Sequence, residues 1–268
     1  MQLRIRLGLG VRDEFDAQVE IEQRVDFLAE LLRATRARAL VLGISGGVDS
    51  MTAGCLAQRA VQRVRDEGGE ARFVAMRLPY GTQLDEADAQ AGLGVIQPDE
   101  TLTVDIRPAA DAMLAAVQAS GQVFRDAAQQ DFLHGNIKAR QRMIAQYAVA
   151  GARGGLVIGT DHAAEAMMGF FTKFGDGAAD VTPLAGLNKR RVRALASAMG
   201  APDALVFKVP TADLELLKPL KPDEDAFGVS YEQIDDFLEG RDVSPAVFEI
   251  IVDTWRRSAH KRALPIAP

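Results

Sequence analysis

The stretch that decides the fold is ALVLGISGGVDSMTAG, residues 39–54. It begins as a short apolar run, typical of a buried strand, and then breaks into Ser-Gly-Gly-Val-Asp-Ser before a helical pattern. Glycines let a backbone approach a phosphate closely, and the N–H groups at the start of a helix carry partial positive charge. A strand, a glycine-rich turn and a helix in this order therefore predict a phosphate-binding loop.

The acidic residue of this loop, Asp49, indicates a metal. A P-loop of the GxxxxGK[ST] type has a lysine here, and this loop has none. A carboxylate beside a triphosphate is repulsive unless a cation such as Mg²⁺ lies between them, while Ser45 and Ser50 add hydroxyl donors. The alternative is a tight turn that only caps a helix. Five specified residues recur by chance in about one of several thousand such chains, which disfavours that alternative.

Four apolar runs alternate with helical patterns along the chain. The predicted strands are 39–44, 71–78, 101–106 and 155–160. The predicted helices are 19–36, 49–67, 85–92, 108–120, 125–150, one from 162 to 168, 188–200, and two after residue 230. Segment 170–187 is predicted to be a long ordered loop and 208–225 a mobile loop. This alternation predicts an α/β fold: an open, mostly parallel, Rossmann-like sheet with helices on both faces, in a single domain spanning residues 1–268.

Composition and charge exclude several classes of function. The formal net charge is −6 and the sequence pI about 5.2, which argues against a nucleic-acid partner. Cys55 is the single cysteine, so no internal disulfide is possible and a reducing compartment is expected. No stretch reaches the ~18 apolar residues of a membrane span, and the first residues do not resemble a secretory leader. We therefore expect a cytoplasmic protein without a membrane partner.

The fourth predicted strand is followed by GTDHAAE, residues 159–165. Ligands of an open parallel sheet bind beyond the carboxyl ends of its strands, so Thr160 and Glu165 should lie at the same edge as the glycine loop. Glu165 is a candidate second carboxylate for Mg²⁺. The alternative is a capping box starting at Asp161, but the spacing is four residues instead of three. A lone histidine at a helix start is more often structural, so His162 is left outside the catalytic set.

Further polar residues accompany the long loop FFTKFGDGAAD, residues 170–180. Loops of this length in compact domains are usually functional, and this one pairs Lys173 and Asp180 with aromatic residues that could stack on a ring. Each polar residue taken singly fits a solvated surface charge better than a site. The further candidates are Asn136, Arg140, Tyr147, Lys189, Thr211, His260 and Lys261.

Together these segments resemble one family. SGGVDS by itself is similar to the loop of the N-type ATP pyrophosphatases, whose fold is called adenine nucleotide α-hydrolase-like. The full set is similar to the ammonia-dependent NAD synthetases, and the resemblance covers residues 18–262. The segments, in chain order, are SGGVDS, RLPYGTQ, GNIKARQRMIAQY, GTDHAAEAMMGFFTKFGDGAAD, PLAGLNKR, PTADL and HKR.

The resemblance implies a role for each matching residue. ATP would be bound by Gly43, Ile44, Ser45, Gly46, Gly47, Val48, Asp49, Ser50, Arg77, Gln83, Thr160, Lys189 and Thr211. Nicotinate adenine dinucleotide (deamido-NAD) would be bound by Phe132, Asn136, Arg140, Tyr147, Lys173, Asp180, His260 and Lys261. Mg²⁺ would be held by Asp49 and Glu165, and Asp49, Lys173 and Asp180 would be catalytic.

The resemblance also implies the reaction. The nicotinate carboxylate would attack the α-phosphorus of ATP and release pyrophosphate, and ammonia would then displace AMP to give the amide of NAD. The family is homodimeric, with the dinucleotide at the subunit interface. A glutaminase would need its own nucleophile and about 150 further residues, so free ammonia is the expected nitrogen donor.

The sequence leaves two alternative functions open. An RNA-modifying ligase or thiolase shares the loop, but it needs a basic RNA-binding face and often paired cysteines, which disagree with the net charge and with the lone Cys55. A non-catalytic adenine-nucleotide sensor needs the phosphate loop but neither a second carboxylate nor the pair of Lys173 and Asp180.

Overall fold

The computed structural model describes residues 1–81, 85–212, 214–217, 221–263 and 265. Its central sheet has four parallel strands in the order β3-β2-β1-β4. They are β1 (Ala39–Gly43), β2 (Arg72–Arg77), β3 (Glu100–Thr103) and β4 (Gly155–Val157). Helices lie on both faces, so the predicted fold class is confirmed.

The strand order places the functional loops. The chain runs from β1 outward through β2 to β3 and then returns to the other side of β1 to form β4. The direction of winding therefore reverses between β1 and β4, and a crevice opens there at the carboxyl ends of the strands. SGGVDS follows β1 and GTDHAAE follows β4, so both border this crevice.

Alternating side chains of the strands make the two cores. On one face, Leu40 and Leu42 of β1 pack against four helices. These are α2 (Ala17–Thr35), α3 (Val48–Asp66), α4 (Glu86–Ile96) and α8 (Lys189–Ala198). On the other face, Val41 and Met76 pack against α6 (Ala127–Arg153), which is flanked by α5 (Arg107–Ala119).

A third buried cluster supports the helix that carries Glu165. Ile5, Met167, Phe237 and Ile251 are fully buried in it. Its elements are α1 (Gln2–Gly8), α7 (Ala163–Met168), α11 (Tyr231–Leu238) and α12 (Pro245–Arg257), followed by a 3-10 turn at Ala259–Lys261. The short α7 is thus held from behind by apolar packing. Among the described residues, no helix has both the length and the apolar character needed to cross a bilayer.

Several elements differ from the sequence predictions. Segment 208–225, predicted as a loop, contains the antiparallel pair β5 (Thr211–Ala212) and β6 (Lys221–Pro222) and the start of α10 (Asp223–Phe227). The helices α1 and α9 (Asp203–Val206) were not predicted. Strand β3 ends early because Asp105 accepts the N–H groups of Gly81 and Arg107 and so turns the chain into α5. The long segment 170–187 contains turns and one bridge from Val181 to Ile158, as predicted.

Candidate active site

A cleft of about 460 Å³ opens at the carboxyl ends of β1 and β4. The loops after both strands line it, and one face of α6 forms its wall. The wall residues recur at helical spacing, so they share one side of α6. They are Phe132, Asn136, Ala139, Arg142 and Gln146.

The SGGVDS loop is shaped by backbone conformation and by its own hydroxyls. Gly46 has a φ of +87°, and a Cβ there would lie 2.9 Å from the backbone nitrogen of Ala89, so only glycine fits. The Ser45 and Ser50 hydroxyls lie 3.2 Å apart, and the Gly47 N–H points at Ser45 Oγ at 3.3 Å. No described side chain caps the start of α3. Its first amides therefore remain available to an anion.

Two side chains fix the loop relative to the rest of the sheet. Arg77 is 2 % exposed and donates to the Ile44 carbonyl and to Glu86. The Gly43 N–H donates to Oε1 of Gln146 at 2.8 Å. Gln146 was not predicted, although the helical stripe in GNIKARQRMIAQY could have indicated it.

Asp49 and Lys189 form a buried ion pair beside this loop. Lys189 Nζ donates to Asp49 Oδ2 at 2.6 Å, and Lys189 is 1 % exposed. Burial by itself would raise the pKa of Asp49, but the ammonium of Lys189 holds that pKa below its usual range. Burial would lower the pKa of Lys189, and Asp49 and Glu165 together raise it. Both groups are therefore charged at neutral pH.

Glu165 places a second carboxyl group in the same pocket. Burial, and then the carboxylate of Asp49, raise the pKa of Glu165 well above its ordinary value. Asp49 Oδ1 is buried and has no hydrogen-bond partner among the described residues. Two largely buried acids thus share the ammonium of Lys189, so the ionised form of Glu165 is disfavoured unless a further cation is present. Such a set of oxygens suits a hard divalent cation.

His162 lies beside both acids and caps the helix that carries Glu165. Its Nδ1 accepts the Glu165 N–H at 3.4 Å, so His162, not Asp161, is the N-cap of α7 and Glu165 is the third residue of the helix. A cap therefore does exist at the start of this helix, and it begins at His162, one residue later than the Asp161 cap considered from the sequence. Burial lowers the pKa of His162 to about 3, so the ring is neutral. Since Nδ1 accepts, the proton is on Nε2.

The protonation of His162 Nε2 indicates which residues of this group can bind a metal. Ligand atoms of Asp49, His162 and Glu165 lie within 4.8 Å of one another. His162 Nε2 lies 3.5 Å from Asp49 Oδ1 and 3.6 Å from Glu165 Oε2. A protonated Nε2 offers a hydrogen and no lone pair, so it is suited to orient the carboxylates and not to ligate a metal. The two acids are therefore the candidate ligands.

The other residues predicted to contact ATP either line the cleft or lie outside the described residues. Thr160 follows β4 and lines the cleft, as does Thr211 of β5. Gln83 lies outside the described residues. The remaining lining residues that sequence reasoning missed include Asp85, Asp176, Lys208 and Asp223.

The predicted dinucleotide contacts divide into two groups. Phe132, Asn136 and Lys261 line the cleft, and Lys261 Nζ donates to the carbonyls of Gly169 and Phe171 at 2.9 and 2.8 Å. The others are not among the described residues that line it. They are Arg140, Tyr147, Lys173, Asp180 and His260.

The second group is connected in pairs near the protein surface. Arg140 donates to the Lys173 carbonyl at 3.2 Å, and Lys173 Nζ donates to the His260 carbonyl at 2.5 Å. Asp180 is exposed; it accepts the Val157 N–H at 2.7 Å and faces the Tyr147 hydroxyl at 3.3 Å. Asp176 is also exposed, but it lines the cleft and accepts the Thr172 N–H at 2.9 Å.

Comparison with known proteins agrees with this geometry. The family model described as NAD synthase matches residues 20–265. An NH(3)-dependent NAD(+) synthetase from Streptomyces coelicolor is 67 % identical over 100 % of this chain and 97 % of the relative. The crystal structure of an NAD+ synthetase from Burkholderia pseudomallei is 62 % identical, with a TM-score of 0.86 over 98 % of this chain and 96 % of that one.

A more distant structure in the same comparison has a different name. It is an NMN synthetase from Francisella tularensis, 36 % identical, with a TM-score of 0.83 over 95 % of this chain and 99 % of that one. The family resemblance drawn from the sequence is confirmed by the match over nearly the whole chain. The chain belongs to the NAD synthase family.

Proposed function

We propose that this chain is an ammonia-dependent NAD synthetase, a ligase that amidates deamido-NAD at the expense of ATP. The observation that carries the activity is the 67 % identity to a relative of that name over the whole chain. The cleft supports it with an uncapped phosphate loop beside two carboxylates and one buried lysine. The RNA-modifying and sensor readings lack comparable support.

The first step joins two anions, so the site must reduce their repulsion. The nicotinate carboxylate attacks the α-phosphorus, and the bond to the leaving pyrophosphate breaks. The α3 amides and the ammonium of Lys189 stabilise the negative charge that develops on the phosphate oxygens. Asp49 and Glu165 would hold Mg²⁺, which supplies further positive charge at the phosphates when bound. Thr160, Arg77 and Thr211 border the same space and orient ATP.

The second step replaces AMP by ammonia at the acyl carbon. Ammonium must lose a proton before it can attack, so a carboxylate near the reacting carbon is required. Asp176 is better placed for this than Asp180, because Asp176 lines the cleft while Asp180 is held outside it by Val157. The role predicted for Lys173, to stabilise charge on the reacting carboxylate, would require its ammonium to leave the His260 carbonyl, which it contacts outside the cleft.

The dinucleotide site is proposed to be completed by a second copy of the chain. Arg140, Ile144 and Tyr147 follow helical spacing along the outer face of α6, and Ile144 is 52 % exposed. Exposed apolar side chains interleaved with predicted ligand contacts are typical of an interface. We infer a homodimer and, from the lone Cys55, a reducing compartment such as the cytoplasm.

The test is product formation by the purified protein. ATP, Mg²⁺, deamido-NAD and ammonium should give NAD, AMP and pyrophosphate in equal amounts, and omission of any substrate should stop all three. Glutamine should replace ammonium poorly. Nicotinate mononucleotide should be the poorer acceptor; preference for it would reassign the chain to the activity named for the Francisella tularensis protein.

A matched pair of variants on α3 tests the role of the loop acid. Asp49→Asn should lower kcat/KM by about 10²-fold or more, because it removes one of the two proposed ligands of the Mg²⁺ that offsets phosphate charge. Asp66→Asn, at the exposed far end of the same helix, should leave activity unchanged. Equal activity of the two variants would contradict the assignment.

A further inference from the structure

Helix α6 carries a second set of residues beside its cleft-lining face. Asp131, Gly135 and Lys138 are spaced by four and three residues, so they lie along one side of the helix. Asp131 is 9 % and Lys138 2 % exposed. Charged side chains are seldom so buried unless they are paired or hydrogen-bonded. We call these three residues the docking stripe.

The docking stripe binds the backbone of residues 214–217. The Asp131 carboxylate accepts the N–H groups of Leu216 and Leu217 at 2.9 and 2.8 Å. Lys138 Nζ donates to the Leu214 carbonyl at 2.8 Å. Each contact joins a charged group to a peptide group, and such hydrogen bonds are stronger than neutral ones.

Gly135 allows the approach that these bonds require. A Cβ at Gly135 would lie 3.1 Å from Leu214 Cβ and 3.3 Å from the Leu214 carbonyl oxygen. The backbone of the segment therefore rests directly on the helix between the acid and the lysine. A methyl group here would push the segment away from its polar partners.

Apolar burial does not hold Leu216 and Leu217 in place. Leu216 and Leu217 are 59 % and 61 % exposed, so their side chains contribute little to docking. The contacts with α6 must therefore supply most of the attachment. Leu214 and Glu215 also line the cleft, so the docked segment forms part of the wall of the site.

Docking also limits the position of Thr211. Three residues of chain span at most about 10 Å, so Leu214 on α6 confines Thr211 from one side. On the other side, Thr211 pairs with Pro222 in the two-stranded ladder. Thr211 itself lines the cleft where ATP is proposed to bind.

We propose that Asp131, Gly135 and Lys138 are positioning residues that dock residues 214–217 on α6 and thereby hold Thr211 at the ATP site. The inference rests on the proposed function for what Thr211 contacts. None of the three residues needs to touch the reacting atoms. When the segment is undocked, part of the binding energy of ATP is used to dock it again. The apparent affinity for ATP is therefore the intrinsic affinity multiplied by the fraction of molecules in which the segment is docked.

Two glycine variants of α6 give the sharpest test. Gly135→Ala and Gly151→Ala make the same change on one helix, but a Cβ at Gly151 meets nothing within 4 Å. Both should favour the helix itself. Gly135→Ala should raise KM for ATP by about tenfold with kcat within about threefold, because saturating ATP restores docking. Gly151→Ala should match the unaltered enzyme.

Proteolysis gives a readout that does not depend on turnover. A glutamate-specific protease cuts after Glu215, and the amide of that bond is the Leu216 N–H held by Asp131. Gly135→Ala and Asp131→Asn should speed the cut several-fold without ATP, and ATP with Mg²⁺ should slow it. The fragment ending at Glu215 is followed by mass spectrometry.

The outcomes separate this proposal from the proposed function. Equal cleavage at Glu215 and equal KM for ATP in Gly135→Ala and Gly151→Ala would overturn docking by the stripe. If the protein makes no NAD, but Gly135→Ala is cleaved faster and ATP slows that cleavage, docking is supported and only the proposed activity is contradicted. Lys138→Met should reproduce the cleavage result, because it removes the ammonium that donates to the Leu214 carbonyl.

Discussion

The two halves of the site are built differently. Around the SGGVDS loop, polar groups are largely buried and lie close together: Lys189 pairs with Asp49, and the neutral His162 ring lies beside Asp49 and Glu165. Among the predicted dinucleotide contacts, Arg140 and His260 are exposed, and Arg140 bonds to a backbone carbonyl. The residues proposed for phosphate binding therefore come together within one chain, while those proposed for the dinucleotide leave charged groups at a surface that a second copy could cover.

The largest expected effect comes from the buried half. Glu165→Gln should lower kcat/KM by about 10²-fold or more, since it removes one of two proposed metal ligands. It should also raise the melting temperature of the metal-free protein at pH 8 by a few degrees. The reason is that burial and Asp49 disfavour the ionised form of Glu165, and glutamine carries no charge.

Calorimetry with and without Mg²⁺ checks this prediction. Added Mg²⁺ should raise the melting temperature of the unaltered protein and have little effect on Glu165→Gln. Glu249→Gln makes the same substitution at an exposed position of α12 and serves as the matched control. A variant as active as this control, with an undiminished response to Mg²⁺, would remove Glu165 from the metal site.

A smaller effect is expected from the outer face of α6. Ile144→Asp should yield a monomer by introducing a charge into the proposed interface, and should lower turnover by about tenfold or more. The binding of ATP should persist because the buried half lies within one chain. Sedimentation and ATP titration measure the two properties separately. Leu7→Asp, which changes an apolar side chain of α1 that is 69 % exposed, should alter neither.

The smallest effect is a pH dependence of stability. Burial, followed by the charges of Asp176 and Asp49, raises the pKa of Asp161 to about 7. The folded state then binds more protons than the unfolded state between about pH 4 and 7. The free energy of unfolding therefore falls as the pH rises through that window, by at most about 1.4 kcal/mol per unit from this group.

Replacement of Asp161 by a residue that does not titrate tests whether stability falls or rises with pH. Asp161→Asn resembles the protonated form, so the free energy of unfolding of the variant should fall less steeply with pH. Relative to the unaltered protein, the variant should therefore be more stable at pH 8 than at pH 5. Urea unfolding at several pH values gives the slopes. An unchanged slope, or a variant that loses relative stability as the pH rises, would show that Asp161 is ionised in the folded protein at low pH.

Local patterns in the sequence predicted much of the fold and one half of the site. The apolar run before Gly43 and the helical pattern after Asp49 predicted strand and helix, and α/β alternation placed Thr160 at the same sheet edge. The segment 208–225 was predicted poorly because its two strands have two residues each and pair only with one another. Such short pairs carry no periodicity that a sequence window could detect.

By itself, the sequence determined the phosphate loop and its acid, because glycine conformation, helix amides and charge repulsion act between neighbours in the chain. Only the tertiary structure decided that His162 caps α7 and faces both acids, that Gln146 holds Gly43, and that Asp131 and Lys138 bind residues 214–217. Apart from the cap itself, these contacts join segments far apart in sequence, and their partners are chosen by how helices pack around the sheet. Local propensity carries no information about that choice, since the same side chain suits a surface or a buried hydrogen bond until packing removes water from it.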